Sequence, residues 1–381
     1  MNSVPSTPDR FYPTFSGILQ PATDASFSLL DNRPVLFSES AQKIYELNQV
    51  GAYIWCCLLD QKATDRICED LTKFGLDRTA ARQFVRQALR NWLKLGLLKT
   101  NWDSSEQNEL TGRIGRLAVS IQSSSEQFTE LLIPLFFEVS RGKSSAGDKF
   151  EILEVDGQIH VLHNKVGVIW CAVGELVPAF KAYLTELILQ RSSPDVVLHA
   201  ACLVAGGKGL LVSGRPGAGK TTLALHLMDL GLEYSGDDIV LIAPDGRAEG
   251  VPFPPTIKSG AWAMISKLRG NLAGCTVHKR ADGKRVKYLK VPPRAESGSF
   301  PVGWIAFLNR IPDAPVTLAP LGQLDTLSRV MDGSYAAGGK LTQSAFAAIK
   351  RTVTEAQSFE LTYSSAVQAG AAMIDLCNGK P

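Results

Sequence analysis

The spacing of apolar residues in the first hundred positions predicts a small domain that contains both strands and helices. The segment SFSLLDNRPVLF, residues 26–37, predicts two short strands joined by a turn at Asp31–Asn32. The segment LGLLKT predicts a closing strand. Apolar residues three and four positions apart predict three helices between these strands, over residues 41–59, 63–74 and 79–95. This order indicates a winged-helix-like domain over residues 23–102.

A polar segment with few apolar residues, NWDSSEQNELTGR, follows this region. We place a loose tail at residues 1–22, before the first domain. A linker follows that domain at residues 103–113, and a second domain covers residues 114–381. The second domain contains both apolar patterns typical of strands and apolar patterns typical of helices. Strands are predicted over 117–121, 132–137, 150–154, 159–163 and 302–310, and helices over 177–190, 342–356 and 365–378. Such a mixture predicts an α+β or α/β fold.

Composition narrows the possible functions of the chain. Its 381 residues carry a net charge of +3 and are 45% hydrophobic, so the whole chain lacks the strong positive charge of many nucleic-acid binders. No apolar run approaches 18 residues, and we therefore predict no membrane segment. The seven cysteines are scattered and form no Cys-x-x-Cys pair, which argues against a structural zinc site or disulfide framework and favours the cytoplasm.

The segment GRPGAGKTT has the complete spacing of a phosphate-binding loop, and it lies between a predicted strand and a predicted helix. Glycine-rich backbone in such a loop points N–H groups at phosphate oxygens, and the helix N-terminus adds positive potential. Lys220 then reaches the outer phosphates, and the Thr221 hydroxyl is a ligand for Mg²⁺. We predict that the loop binds a nucleoside triphosphate or a similar polyphosphate through Gly214, Arg215, Pro216, Gly217, Ala218, Gly219, Lys220, Thr221 and Thr222.

Two adjacent acids, Asp237 and Asp238, follow a strand-like run shortly after this loop. One acid of such a pair is suited to hold Mg²⁺ and the other to accept a proton from an attacking hydroxyl. An ATPase also needs a metal-binding acid and a group that orients water, so the pair alone does not separate a kinase from an ATPase. His199 lies in an apolar run that leads into the loop, where it is either a core residue or a group that positions the acids or the phosphates.

The motifs LHAA, GRPGAGKTT and YSGDD resemble those of the HPr kinase family in order and spacing, with 21 residues from His199 to Lys220 and 18 from Lys220 to Asp238. The family includes shorter relatives that phosphorylate serine on peptides. The resemblance implies a P-loop kinase domain with a mixed β-sheet core, a fold shared with phosphoenolpyruvate carboxykinases. It implies that Asp238 is the base, that Lys220 and the loop hold the phosphates of ATP, that Thr221 ligates Mg²⁺ with Asp237 as an auxiliary acid, and that His199 supports the site.

The chain departs from this family pattern beyond the Asp pair. The family places a metal-binding Glu in a Leu-Glu-Ile-Arg stretch, whereas this chain reads VPFPPTIKSGAWAMI, with Lys258 as the nearest charged residue. The second metal ligand and the reverse reaction of the classical enzymes are therefore in doubt, which argues against HPr as the substrate. Residues 258–294 carry ten basic side chains and one acidic one, and Lys258 and Arg285 are candidates for a cation that acts on the transferring phosphoryl group or on an acidic peptide.

The N-terminal segments PVLFSESAQKIYELNQVGAYIW and FVRQALRNWLKLGLLK resemble the PqqD-like peptide-recognition family. That resemblance implies that residues 23–102 grip the leader of a precursor peptide as an added strand. Basic residues at every fourth position form a stripe that suits an acidic leader, although a solvated helix face or a DNA-recognition helix has the same pattern: Arg78, Arg82, Arg86, Arg90 and Lys94.

Together, the two halves predict a kinase that uses ATP and Mg²⁺ to phosphorylate a Ser or Thr of a ribosomally made precursor peptide held by the N-terminal domain. Two alternatives stay open. One is a kinase of a small hydroxyl compound such as free serine, and the other is a nucleotide-dependent DNA-binding regulator. The resemblance to the HPr kinase family, whose members form hexamers, also makes a homo-oligomer an expectation.

Overall fold

The computed structural model of the chain describes residues 19–100, 108–142, 147–155, 157–192, 196–290, 298–335 and 340–379. The chain divides into two compact units, of which the first comprises residues 1–109, 121–126 and 148–173, and the second comprises residues 110–120, 127–147 and 174–381. Most of the predicted tail and part of the predicted linker lie outside the described residues, so the boundaries proposed from the sequence stay predictions. None of the described helices is long and apolar enough to cross a membrane.

The described residues up to 100 form the elements β1 (Leu19–Pro21), β2 (Ala25–Leu30), β3 (Arg33–Ser38), β4 (Lys43–Glu46), α1 (Gln49–Leu59), α2 (Thr64–Lys73), α3 (Arg78–Lys94) and β5 (Leu98–Thr100). Strands β2, β3 and β4 form an antiparallel sheet, and β1 pairs with β5. The turn between β2 and β3 has Asp31 and Asn32 at φ values of 52° and 62°, as two-residue hairpin turns require. This hairpin was predicted from the sequence.

The first predicted helix was wrong at its start, because residues 43–46 form β4 instead. Asn48 caps α1, with its Oδ1 accepting a hydrogen bond of 2.7 Å from the Gly51 backbone N–H. Ile44, which fits the apolar spacing of the predicted helix, is 62% exposed on β4. Asn48 is a strong helix start signal, and the apolar residues before it belong to a strand that pairs with β3.

The next elements in the chain are β6 (Glu109–Ile114), β7 (Leu117–Ser123), α4 (Glu126–Leu132), β8 (Glu138–Arg141), β9 (Asp148–Val155), β10 (Gln158–His163), β11 (Val166–Cys171) and α5 (Leu176–Ser192). The strand predicted over residues 132–137 is wrong, since α4 and a 3₁₀ turn occupy its first part. Phe128, Leu132 and Leu135 are buried at helical spacing, and their burial favours the helix over the strand.

Strands β9, β10 and β11 form an antiparallel meander that belongs to the first unit. Leu153 and Leu162 of this meander are buried in the same apolar cluster as the helices α1, α2 and α3. At the centre of the cluster, the rings of Trp55 and Trp92 meet edge to face with centroids 5.1 Å apart. Each buried apolar side chain of this size contributes about 1.5–3 kcal/mol of transfer free energy, so the meander is part of the core of this unit.

The remaining elements are β12 (Val196–Leu198), β13 (Ala200–Ala205), β14 (Lys208–Ser213), α6 (Lys220–Asp229), β15 (Glu233–Gly236), β16 (Val240–Ile242), β17 (Ala248–Gly250), β18 (Thr256–Lys258), α7 (Trp262–Leu268), β19 (His278–Lys279), β20 (Arg285–Tyr288), β21 (Val302–Arg310), β22 (Thr317–Pro320), α8 (Gln323–Asp332), β23 (Ser334–Tyr335), α9 (Gln343–Glu355), β24 (Gln357–Tyr363) and α10 (Ala366–Cys377). The strand predicted over residues 302–310 and both predicted C-terminal helices are present.

The main sheet of the second unit has the strand order β15-β13-β14-β21-β24-β22. Strand β14 runs parallel to β21, and β21 runs parallel to β24, whereas the other neighbours are antiparallel. The prediction of a mixed sheet within a mixed α and β architecture is therefore confirmed. Two smaller antiparallel sheets accompany it, in the orders β17-β16-β12-β23 and β18-β20-β19.

Strand directions in the main sheet bring the functional segments to one edge. Strand β13 is antiparallel to both β14 and β15, so β14 and β15 point the same way, and β21 and β24 also share that direction. The segments that follow β14, β15, β21 and β24 therefore leave the sheet at a common edge. Helices α6 and α10 pack with the sheet in one apolar cluster, through Leu223, Leu227, Ala369 and Met373.

Candidate active site

The phosphate loop lies between β14 and α6, as its sequence predicts. Gly217 and Gly219 have φ values of 89° and 101°, a left-handed backbone that L side chains rarely adopt. Lys220 is 7% exposed, and its ammonium group donates a hydrogen bond of 2.8 Å to the Gly214 carbonyl. Burial lowers the pKa of Lys220, and the nearby Asp237 partly offsets this shift.

Glycine is required at position 219 for a second reason. A Cβ at this position would lie 2.6 Å from Oη of Tyr363, closer than such atoms approach. The Tyr363 hydroxyl is held in place because it donates a 2.7 Å hydrogen bond to the Ala218 carbonyl. The last residue of β24 thus supports the loop directly, and the loop residues Arg215 and Pro216 are exposed on its outer side.

Asp237 is joined to the phosphate loop. Its Oδ2 accepts a hydrogen bond of 2.7 Å from the Thr221 hydroxyl, and only 3% of the residue is exposed. Its Oδ1 is buried and has no hydrogen-bond partner among the described residues. Burial, reinforced by the neighbouring Asp238, raises the pKa of Asp237 to about 7. A buried carboxylate oxygen without a donor, beside a hydroxyl that follows the loop lysine, fits the oxygen ligands that Mg²⁺ prefers.

Asp238 faces a different partner from its neighbour. Its backbone is left-handed, with φ of 76°, which is uncommon for a residue with a side chain. Its Oδ2 lies 3.7 Å from Nζ of Lys181. The Asp238 side chain is 31% exposed, so this acid remains open to an incoming group. The two adjacent acids therefore have separate surroundings.

Lys181 is a site residue that the sequence analysis missed. It lies on α5, donates a hydrogen bond of 2.7 Å to the Thr256 hydroxyl and sits over the rings of Phe253 and Tyr288, at 5.3 and 5.7 Å from their centroids. Burial lowers the pKa of Lys181, and the charges of Asp238 and Asp237 act in the opposite direction. A signal was present, because Lys181 lies at helical spacing among buried apolar residues, between Val177 and Leu184.

His199 lies between β12 and β13, next to the acids. Its Nδ1 donates a hydrogen bond of 2.9 Å to the backbone carbonyl of Asp238, and its backbone N–H donates to the Gly333 carbonyl. The imidazole therefore holds the left-handed turn at Asp238 and contacts the backbone of that residue. This is a supporting position, of the kind that the sequence resemblance implied.

The basic segment after residue 258 contributes unequally to the site. Lys258 lies close enough to lower the pKa of Lys220 by charge repulsion, a smaller effect than that of burial. The Arg285 guanidinium lies over the Trp262 ring at 5.5 Å. Arg280 forms an ion pair of 3.4 Å with Asp282, and its charge also contributes to lowering the pKa of Lys181. The segment beyond 290, up to 297, is outside the described residues.

A metal site built wholly from protein acids is absent from the part of the chain that the structure describes. No group of three or more His, Cys, Asp or Glu side chains is arranged to hold a metal ion there. The Thr221 hydroxyl and Asp237 are two ligands at most, so phosphate oxygens and water would complete the shell of a bound Mg²⁺.

A family model and a curated protein are each similar to part of the chain. Residues 34–98 match the family model of coenzyme PQQ synthesis protein D, PqqD. A curated relative from Oceanobacillus iheyensis, named Putative HPr kinase/phosphorylase 2, is 32% identical over 63 residues, which are 16% of this chain and 21% of that protein. The chain thus spans about a fifth of the length of this relative.

Two solved structures are also similar to parts of the chain. One is TbiB1 in complex with the TbiA(beta) leader peptide, at 22% identity and a TM-score of 0.21, with 22% of this chain and 99% of that chain covered. The other is the Hpr(Ser) kinase/phosphatase from Coxiella burnetii, at 11% identity and a TM-score of 0.19, with 47% of this chain and 97% of that chain covered. At these TM-scores neither structure adds to the fold described above.

The two resemblances predicted from the sequence are confirmed. Residues 34–98 match the PqqD family model, and part of the chain is similar to a protein named as an HPr kinase/phosphorylase. The described residues bring together the phosphate loop, the Asp pair and His199, which the sequence predicted as separate motifs.

Proposed function

We propose that the chain is a kinase that transfers the γ-phosphoryl group of ATP to a Ser or Thr hydroxyl of a precursor peptide bound by its N-terminal domain. The observation that carries this proposal is the hydrogen bond from Thr221 to Asp237. That bond joins the phosphate loop to the Asp pair, so that the partly exposed Asp238 belongs to the same site as the loop.

The geometry supports a simple division of roles. The loop N–H groups and Lys220 hold the β- and γ-phosphates, and Mg²⁺ bound by Thr221 and Asp237 would neutralise phosphate charge. Asp238 accepts the proton of the Ser or Thr hydroxyl of the peptide, and the oxygen of that hydroxyl forms a bond to the γ-phosphorus. The bond from that phosphorus to the bridging oxygen breaks, and ADP leaves with the electron pair. Lys181 lies next to the Asp238 carboxylate and orients it, and His199 holds the backbone turn.

Features of the PqqD domain support a peptide substrate. Strand β4 is an edge of its three-stranded sheet, and a groove of about 260 Å³ adjoins the same region. Exposed backbone at a sheet edge is suited to pair with an extended peptide. The groove is lined by apolar side chains, among them Val50 and Phe84, and by polar ones, among them Gln87 and Asn91, so it offers both kinds of contact to a leader side chain.

The basic stripe on α3 is only partly available to a leader. The Arg90 guanidinium packs on the Trp170 ring at 3.9 Å, within the first unit. Arg78 and Arg82 are exposed near the start of the helix. We therefore assign the attraction of an acidic leader to the N-terminal part of the stripe and a packing role to Arg90.

A phosphoryl-transfer assay with full-length protein tests the proposal. A Ser- or Thr-containing peptide fused to its leader is the substrate, and leader peptide in excess is the competitor. We expect Lys220→Ala and Asp238→Asn to abolish transfer, and the free leader to inhibit it. Unchanged rates in both variants would overturn the mechanism. Equal rates with free serine would favour a small-molecule kinase, and steeply salt-dependent duplex binding without transfer would favour a DNA-binding regulator.

A further inference from the structure

The basic segment that begins at residue 258 contains two candidates for a cation that acts on the transferring phosphoryl group, Lys258 and Arg285. They lie on two paired strands of one small sheet, Lys258 at the end of β18 and Arg285 at the start of β20. Successive side chains of a strand point to opposite faces, whereas residues that lie opposite each other in neighbouring strands share a face. The pairing register of β18 and β20 therefore decides which cation faces the candidate site.

One face of this small sheet adjoins the Asp pair through Lys181. Thr256 of β18 accepts a hydrogen bond of 2.7 Å from the Lys181 ammonium, which lies 3.7 Å from Oδ2 of Asp238. Tyr288 pairs with Thr256 across the strands, and the centroid of its ring is 5.7 Å from the same ammonium. Lys258 is two residues beyond Thr256 in the strand, so its side chain leaves from this same face, with the two Cα atoms roughly 6–7 Å apart.

The other face of the small sheet is turned to Trp262. Ile257, the central residue of β18, is buried on this face in the apolar cluster of the second unit. Lys287 of β20 pairs with Ile257, and the Lys287 ammonium lies 5.3 Å from the centroid of the Trp262 ring. The Arg285 guanidinium lies over the same ring at 5.5 Å. Arg285 therefore belongs to the face opposite the candidate site, where it contacts an aromatic ring.

Lys258 also lies within electrostatic range of the phosphate loop. Burial lowers the pKa of Lys220, and the charge of Lys258 adds a smaller shift in the same direction. Lys258 is exposed, and its ammonium group has no hydrogen bond or ion pair within the part of the chain that the structure describes. Two ammonium groups that repel each other beside a phosphate loop favour a strongly negative group near both, because an anion there offsets the repulsion.

We propose that Lys258 binds the γ-phosphate of ATP and the phosphoryl group in transfer, which lie between Lys220 on the loop side and Asp238 on the acceptor side. The inference rests on the proposed function, because it assumes that the loop holds the phosphates of ATP. An ammonium group at this point offsets the negative charge of the phosphoryl oxygens in the transition state. ADP lacks the γ-phosphate, so Lys258 distinguishes the substrate nucleotide from the product nucleotide.

Calorimetric titration of the full-length protein, in the presence of Mg²⁺, with ADP and with the non-hydrolysable ATP analogue adenylyl imidodiphosphate tests this assignment. We expect Lys258→Met to weaken binding of the analogue about tenfold, the scale of one hydrogen bond to a charged group, and to leave ADP binding within about twofold. The kcat for transfer to a peptide fused to its leader should fall about 100-fold. Lys258→Arg keeps the charge and should retain most of the affinity for the analogue.

The matched control is Lys284→Met, in the same basic segment. The Lys284 side chain is 67% exposed and forms an ion pair of 3.3 Å with Asp282. This variant should change neither nucleotide affinity nor kcat, and thermal melting checks that each variant is folded.

The outcomes separate this inference from the proposed function. Equal weakening of ADP and of the analogue in Lys258→Met overturns the assignment, because Lys258 would then act on the loop as a whole. Unchanged binding of the analogue also overturns it, and a raised KM for the peptide would then assign Lys258 to the peptide. An equal loss of analogue binding in Arg285→Met would contradict the division of the sheet into two faces. If the unaltered protein binds both nucleotides but transfers no phosphoryl group, the proposed function fails, whereas the comparison of affinities still tests Lys258.

Discussion

The Lys181 ammonium lies 3.7 Å from Oδ2 of Asp238, although the two residues come from separate elements of the second unit. Only 15% of the Lys181 side chain is exposed, and its ammonium group donates a hydrogen bond to the Thr256 hydroxyl. A shielded ammonium group therefore lies next to a partly open carboxylate. The two adjacent acids thus have different contacts, because Asp237 accepts a hydrogen bond from Thr221 instead.

Replacing Lys181 tests this relationship. We expect Lys181→Met to lower kcat for phosphoryl transfer by roughly 100-fold, within the range that general-base catalysis contributes. Nucleotide affinity should change less than threefold, because Lys181 makes no hydrogen bond to the phosphate loop among the described contacts. Lys181→Arg keeps the charge and should retain more of the rate than Lys181→Met. An equal loss in both variants would indicate a packing role instead.

Asp237→Asn should uncouple nucleotide binding from Mg²⁺. We expect Mg²⁺ to tighten ADP binding to the unaltered protein and to have little effect on the variant, because the amide removes the charge next to Thr221. The fold should persist, since burial already disfavours the charged form of Asp237. Titrations of ADP with and without Mg²⁺ measure this coupling. Asp332→Asn, at an exposed position on α8, is the control and should retain the full effect.

Gly219→Ala should destabilise the loop more than Gly217→Ala. Both glycines have left-handed backbones, which costs roughly 1–2 kcal/mol for a residue with a Cβ. At Gly217 an added Cβ meets nothing within 4 Å, whereas at Gly219 it meets the Tyr363 hydroxyl. Thermal melting should therefore show the larger loss for Gly219→Ala. Adding Tyr363→Phe, which removes that oxygen, should restore part of the loss, and additive effects would contradict the contact.

The stability of the first unit should fall in mild acid because of His160. Burial, with a smaller effect from Arg90, lowers the pKa of this imidazole to about 4, from 6.5 in the unfolded chain. Between these values the unfolded state binds the proton and the folded state does not, so stability falls as pH drops from 6.5 to about 4. The loss is roughly 3 kcal/mol at most, from about 1.36 kcal/mol per pKa unit.

Denaturant unfolding of His160→Leu across this pH range checks the expectation. The variant should lose less stability on acidification than the unaltered protein. Between pH 8 and 9 His160 is almost wholly neutral in both states, so the difference in stability between the variant and the unaltered protein should be constant there. An identical slope below pH 6.5 would show that other groups govern the acid response.

Local patterns in the sequence correctly predicted the features that are formed by consecutive residues. The hairpin at Asp31–Asn32, the phosphate loop and the strand over residues 302–310 all appear where their patterns predict them. Errors occurred where apolar spacing was ambiguous. Residues 43–46 pair with β3, and residues 132–135 belong to α4 and a 3₁₀ turn, because burial against neighbouring elements decided between two local conformations.

The candidate site also has features that the sequence predicts and features that only the tertiary structure shows. The sequence by itself determined the phosphate loop and the adjacent acids, because consecutive residues supply the loop amides, the lysine, the threonine and the carboxylates. Only the tertiary structure decided that Lys181 serves Asp238 and that Tyr363 braces the loop, 145 positions from Ala218 in the chain. Those partners meet because helix packing and parallel strands bring distant segments to one sheet edge, and the geometry of such contacts is not encoded in any local spacing of residues.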